Sequence, residues 1–200
     1  MNDKPEYKIE QGIKPEHRED AARLYAEAFS KKFEKLLGNP DEVTEILKDC
    51  INTSYAFTAI SPNNELMGLV GFYHKNSSLM DIKLKKLIKK YGFFSGLYKK
   101  FIIFILFFKK RDNSRQLLMD GIVVNKKGMG IGTQLLDKLV DFAITEKMTS
   151  IKLDVIYRNP AKKLYQRLGF LEVKGSRIKN PKFIKHLIGV EGLIVMIKKL

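Results

Sequence analysis

Gly128, Gly130 and Gly132 occupy every second position where the apolar start of VVNKKGMGIGTQLLDKLVDFAI (123–144) passes into a helical pattern. Glycine inside a strand or helix costs about 0.5–1 kcal/mol relative to alanine, so three at this junction imply a backbone that another group approaches closely. Directly ahead of a helix, amides without obstructing side chains converge on one point and add to the positive end of the helix dipole. Lys126 and Lys127 bring further positive charge, and Thr133 brings a hydroxyl. The chemistry this favours is the binding of a phosphate or pyrophosphate. A P-loop would close with Gly-Lys-Ser/Thr, but Gly132 is followed by Thr133 and Gln134. A dinucleotide fingerprint needs G-x-G-x-x-G after a first strand, whereas the spacing here is G-x-G-x-G after several strands. A bare strand-to-helix turn would not need three glycines.

Such a loop must be aimed by a strand before it and a helix after it. SRQLLMDGIVV (114–124) reads as a largely apolar strand, and the helix extends from Gly130 to Lys147. SIKLDVI (150–156) is the next strand, NPAKKLYQRLGF (159–170) a short helix, LEVKGS a further strand, and GLIVMIKKL (192–200) the last. Upstream, YKIEQGI (7–13) alternates as a strand. Ala21, Leu24, Tyr25, Ala28 and Phe29 then make one stripe of a helix. A second helix starts at PDEVTEILKDCI with Asp41 as its expected cap, and YAFTAI (55–60) and ELMGLVGFYH (65–74) form a hairpin across SPNN. The basic tract 176–186 is expected to be a loop. Strand and helix alternate over 115–174, which predicts parallel pairing there, against antiparallel pairing in the hairpin. The fold class is α/β: a mixed sheet with helices on its faces, expected as one domain over 1–200.

Composition narrows the partners. With 37 basic and 22 acidic residues the chain carries a net charge of +15, which favours an anionic partner: a phosphorylated cofactor, nucleic acid or an acidic membrane. The hydrophobic fraction of 44% and charged fraction of 30% fit a soluble globular protein. A lone cysteine, Cys50, excludes an internal disulfide and a zinc cluster, so it is expected as a small buried hydrophobe in a reducing compartment. The polar start MNDKPEYKIE is not a secretory signal, and no apolar run reaches the ~18 residues of a membrane span. A cytoplasmic location is the expectation. No signature of a nucleic-acid-binding module accompanies the charge, so RNA or DNA is not the expected partner.

KKGMGIGTQLL resembles the acetyl-CoA loop of the GNAT superfamily of N-acetyltransferases, Arg/Gln-x-x-Gly-x-Gly/Ala entering a helix, with Lys127 in the Arg/Gln position and Gly130 and Gly132 as the glycine pair. About thirty residues on, NPAKKLYQRLGF is similar to the family's Asn-x-x-Ala-x-x-Leu-Tyr-x-x-x-Gly-Phe through Asn159, Ala161, Leu164, Tyr165, Gly169 and Phe170, one residue shorter between Asn and Ala. Lysine keeps the charge at 127 without arginine's fork. The resemblance covers 115–174, agrees with the element order over 7–74, and lapses over 75–114. It implies a mixed, mostly antiparallel sheet with a central, splayed parallel pair and helices on both faces.

It also implies a reaction. The acetyl group of acetyl-CoA would pass directly to a primary amine of a small molecule or peptide, with no metal. Ile122, Val123 and Val124 would offer amides to the pantetheine arm as an added strand does, one of them polarising the thioester carbonyl. Lys127, Gly128, Met129, Gly130, Ile131, Gly132 and Thr133 would hold the pyrophosphate. Tyr165 occupies the general-acid position and would protonate the leaving thiolate. Asn159 would contact the cofactor arm, cap its helix, or do both. For the base Asp120 is the first choice, in an apolar strand beside the expected gap; the other reading is an acid bonded to neighbouring backbone. His74, Asp154 and Glu27 are alternatives.

Residues 75–114 form an insert in which lysine and arginine interleave with aromatic and aliphatic residues and almost no acid. Leu84, Leu87, Ile88 and Tyr91 fit a basic amphipathic helix, and Gly92 and Gly96 are expected to break it. Three roles are open: a substrate lid, a peripheral membrane contact through 84–111, or a surface for RNA or for a second copy in a homodimer. In the membrane reading Phe93, Phe94, Tyr98 and FIIFILFF (101–108) enter the headgroups, flanked by Lys99, Lys100, Lys109, Lys110 and Arg111. For the whole chain the rivals are a non-catalytic acetyl-CoA-binding module and a basic membrane- or RNA-associated protein on the same fold.

Overall fold

The computed structural model describes residues 6–30, 38–80, 84–107, 113–176, 178–179 and 192–200, with backbone alone at 102–107 and 178–179. β1 (Lys8–Gln11) is followed by a turn of 3-10 helix (Pro15–His17), α1 (Arg18–Ala28), α2 (Pro40–Cys50), β2 (Ala56–Ile60), β3 (Leu66–His74) and β4 (Ser77–Ser78). Then come α3 (Leu84–Tyr91), α4 (Phe93–Phe107), β5 (Gln116–Val124), α5 (Ile131–Thr145) and β6 (Ser150–Ile156). The chain finishes with α6 (Ala161–Arg167), β7 (Leu171–Glu172), β8 (Ile178–Lys179) and β9 (Gly192–Lys199).

The strands form one sheet in the order β1-β2-β3-β5-β6-β9-β7, with β4 on β3 and β8 on β9. Among the described residues β5 and β6 are the only parallel pair, so the expected mixed, mostly antiparallel sheet is the one found. Their pairing stops early: Gln116, Leu117 and Leu118 face Ser150, Ile151 and Lys152, and beyond them the strands diverge. A buried hydrogen bond from Gln116 Nε2 to Ser150 Oγ (3.2 Å) pins the closed end. LEVKGS contributes only two strand residues, antiparallel to β9, because β9 lies between β6 and β7. The expected loop at 176–186 includes β8; 180–186 lie outside the described residues.

Each face of the sheet carries its own core. On one, Ala21, Ala22, Tyr25 and Ala26 of α1 and Val43, Ile46 and Leu47 of α2 pack on Leu69, Leu79 and Val123. Ala22 and Ala26 take the place expected of Ala28, which is exposed. On the other, Ile131, Leu135, Leu136 and Leu139 of α5 and Tyr165 of α6 pack on Phe57, Phe72, Leu117 and Leu153. Cys50 is buried, as expected.

Local chemistry sets the helix ends. α2 begins with a capping box: Asn39 Oδ1 accepts the Glu42 amide (3.0 Å) and Glu42 returns to the Asn39 amide (3.2 Å). Asn39 is therefore the cap in place of Asp41, since Pro40 suits the first helical position. Arg18 donates to the Lys48 and Ile51 carbonyls (2.6 and 2.7 Å), tying α1 to the end of α2. Gly92, at φ +80°, separates α3 from α4. Gly96 does not break the helix. It lies within α4, where an added Cβ would come 2.7 Å from the Ile88 amide nitrogen, so its role is to let two backbones meet.

Candidate active site

The glycine loop sits where the sheet opens. Asn125 anchors its start, its amide donating to the Met67 carbonyl (2.9 Å) and its side chain to Leu66 (3.3 Å). Gly128 and Gly130 take φ +85° and +77°, the left-handed region where a side chain is strained. Gly132 is not in that region. It is small because a Cβ there would press on Leu164 at 3.3 Å, bringing α5 close to α6. Among the described residues, no amide from Lys126 to Gly132 donates to a protein acceptor, while the Thr133 amide is taken by the Gly130 carbonyl (3.0 Å). Donors therefore cluster at the N-terminus of α5 as a phosphate cradle requires, and Thr133 retains its hydroxyl. Lys126 and Lys127 are exposed beside them. Tyr7, just ahead of β1, donates to the Met129 carbonyl (3.5 Å).

One edge of β5 leads from this loop into the opening. Because the Asn125 amide is turned to β3, strand alternation turns that of Val123 the same way and those of Ile122 and Val124 toward β6. Val123 instead buries its side chain beneath α1. Just past the last β5–β6 pair the β3–β5 register skips a residue: Gly71 faces Gly121 while Phe72 faces Met119. Asp120 is the extra residue, a β-bulge that re-aims side chains. In consequence Asp120 and Gly121 both look toward α1. Asp120 Oδ2 accepts the Leu79 amide (3.1 Å). A Cβ on Gly121 would fall 3.0 Å from the Tyr25 hydroxyl and 2.7 Å from the Phe29 ring.

Tyr165 and Tyr25 approach the opening from opposite faces. Both are buried. Burial raises the Tyr165 phenol well above its ordinary value. Burial, then the Asp120 carboxylate and Tyr165, raise that of Tyr25 likewise. Tyr25 is thus within electrostatic reach of both Asp120 and Tyr165, and both phenols are neutral at ordinary pH. Asn159 Oδ1 caps the start of α6 by accepting the Ala161 amide (2.9 Å). Tyr25 reads in sequence as one apolar residue of a helical stripe. The packing of α1 over Gly121 brings it to the site, and the bulge turns Asp120 to the same face, which the hydrophobic pattern does not mark.

The alternative bases are His74, Glu27 and Asp154, of which Asp154 lies on β6 two residues past the last β5–β6 pair. His74 follows the Tyr73–Leu118 pair, at the closed end of the β5–β6 junction, and its Nε2 meets Glu146 at 3.0 Å. Glu27 is exposed on α1. Asp154 is half-buried on β6, opposite Val195. Among the described residues no group of His, Cys, Asp and Glu is arranged to hold a metal. In the insert, the side chains of Ile102–Phe108 and the residues Lys109, Lys110 and Arg111 lie outside the described residues. No described helix is long and apolar enough to cross a membrane.

Solved structures with this architecture include a GCN5-related N-acetyltransferase from Kribbella flavida, 15% identical, TM-score 0.59, covering 97% of this chain and 98% of that one. The Salmonella typhimurium protein yncA, solved with its cofactor acetyl-CoA, is 15% identical with TM-score 0.58, over 97% of this chain and 94% of that one. A spermidine N-acetyltransferase from Vibrio cholerae, SpeG, is 18% identical with TM-score 0.56, over 96% and 93%. No curated protein matches in sequence. The family model described as "Acetyltransferase (GNAT) family" matches residues 18–170, across β5, the glycine loop and α6. The chain belongs to the GNAT family of acetyltransferases.

Proposed function

We propose that residues 1–200 act as one acetyltransferase domain that moves the acetyl group of acetyl-CoA directly to a primary amine of a small-molecule or peptide acceptor. One observation carries this reading: β5 and β6 part after Leu118 and Lys152, and the parted edge runs straight into amides at the head of α5 that have no acceptor among the described residues. When bound, acetyl-CoA supplies the acyl group as a thioester. The amides of Gly128 to Gly132, with Lys127 and the Thr133 hydroxyl, hold the pyrophosphate. Ile122 and Val124 offer strand-edge amides to the pantetheine arm, one of them to the thioester oxygen. The Asn159 side-chain N–H groups face the same arm while its oxygen keeps the cap.

The proton steps fall to side chains at the opening. Tyr165 donates to the departing sulfur. Its raised pKa means that it gives a hydrogen bond to developing charge and does not shed its proton early. Asp120, beside the end of strand pairing, takes the proton of the incoming amine, with Tyr25 lining the acceptor side. The charge of +15 disfavours polycationic acceptors and points to amines of low charge. A cytoplasmic setting belongs to the same reading and suits the single reduced, buried thiol.

The test is an amine panel with acetyl-CoA, read by thiol release, on wild type and Tyr165→Phe. Turnover of some amine by wild type, lost about 100-fold or more in the variant, supports the assignment. Equal rates at every pH would remove Tyr165 as the acid. Calorimetric binding of acetyl-CoA without turnover of any amine would leave a binding module, and no binding by folded protein would end the reading.

A further inference from the structure

The helical hairpin of α3 and α4 presents a stripe of four aromatic residues and a leucine to solvent. Phe93, Phe94, Leu97, Tyr98 and Phe101 recur at one, three and four residues, which gathers them on one arc of α4. Their exposures are 60%, 85%, 48%, 57% and 60%. Single apolar residues are common on protein surfaces, but a contiguous stripe of rings marks an interaction site. The opposite side of α4 is packed on α3, through the close approach at Gly96 and Lys99 lying 4.3 Å over the Tyr91 ring. α3 is fastened to the body by the buried Leu87, by the Lys86–Asp49 ion pair (2.7 Å), and by Lys90 donating to the Glu42 carbonyl (3.3 Å). The stripe is therefore held outward on a braced support.

Charge identifies the occupant. Residues 84–107 contain no Asp or Glu. Lys85, Lys89 and Lys100 are exposed and have no acidic partner among the described residues. A second copy of the chain docking here would set two lysine-rich rims against each other. An anionic lipid surface supplies both an acidic layer for the lysines and an apolar layer beneath it for the rings. We propose that the α3–α4 hairpin is a docking surface for anionic bilayers, lying on the membrane with Phe93, Phe94, Leu97, Tyr98 and Phe101 in the headgroup region. The fifteen described residues of α4 are too few to span the hydrocarbon core. This proposal stands apart from the catalytic reading, because no residue of the hairpin is placed in the acetyl-transfer site.

The test is flotation of the full chain with vesicles of phosphatidylcholine alone or mixed with phosphatidylserine, at low and high salt. Wild type is expected to float with the mixed vesicles only, and less at high salt. Lys85→Glu, Lys89→Glu and Lys100→Glu should each weaken binding about fivefold or more. Phe93→Ser with Phe94→Ser should abolish flotation without changing the circular dichroism spectrum. The chain has no tryptophan, so Tyr98→Trp gives a second, less disruptive readout: its emission should shift to the blue when phosphatidylserine vesicles are added. No flotation and no shift would overturn the proposal. So would equal binding to neutral vesicles, or flotation indifferent to the phenylalanine changes. Dimerisation in solution that the same changes abolish, with no vesicle binding, would assign the stripe to a second copy.

Discussion

Asp120 has a structural task that must be separated from proton transfer. Its Oδ2 accepts the Leu79 amide, so Asp120→Asn keeps an acceptor there and removes only the charge. If the carboxylate takes the amine proton, this variant should lose about 100-fold in kcat/KM with little change in melting temperature. Asp120→Ala also strands the Leu79 amide and should cost about 1–3 kcal/mol in urea unfolding. The two buried phenols make a pH prediction of definite sign. In the unfolded chain both titrate near their ordinary value of 10.0, and in the fold both titrate higher, so above that pH the folded state binds more protons. Their contribution is fully present below pH 10 and lost as pH rises through the folded values. The expected slope is about 1.4 kcal/mol per pH unit per phenol. Tyr165→Phe should flatten it in alkaline denaturation curves.

At the scale of elements, the glycines do different work despite their even spacing. Gly130 caps α5 from the left-handed region, so Gly130→Ala should cost about 1–2 kcal/mol and weaken acetyl-CoA binding through a displaced loop. Gly132 needs only a few tenths of an ångström from Leu164, a flexible neighbour, so alanine there should be milder in stability. Gly96 is the severe case. Its neighbours are backbone atoms of α3, which have no rotamer to change, so Gly96→Ala should cost about 1–3 kcal/mol and loosen the hairpin. Parallel urea titrations of the three variants would rank them.

Across the whole molecule, the net charge of +15 and the glycine loop would favour the same ligand in the proposed reading. Acetyl-CoA at a hundred times its Kd should raise the unfolding free energy by about 2.7 kcal/mol, seen as an upward shift in melting temperature. The shift should shrink with added salt as screening weakens the lysines around the loop. The α3–α4 hairpin lies between β4 and β5 in the chain yet joins no strand of the sheet. Its lysine-rich sequence therefore adds to the molecular charge without disturbing the order of strands around the opening.

Much of this protein is local in origin, and that part was legible in the chain. The strand before the loop, the glycines after it, the helix they open and the Asn–Tyr segment of α6 are runs of neighbouring residues. Hydrophobic period and glycine placement mark these without reference to the rest of the fold. The sequence pointed to Asp41 as the cap of α2, and the reciprocal bonds with Glu42 give that place to Asn39. Gly96 reads as a helix breaker in sequence, since the close contact that it serves is with another helix. The parting of β5 from β6 was expected from the family resemblance alone, and three features arose only in the tertiary structure: the register slip that makes Asp120 a bulge, the Tyr25 hydroxyl over Gly121, and the entry of β9 between β6 and β7. Each depends on which distant segments lie side by side. That is settled by the joint packing of two cores on one sheet, and no single window of the sequence contains it.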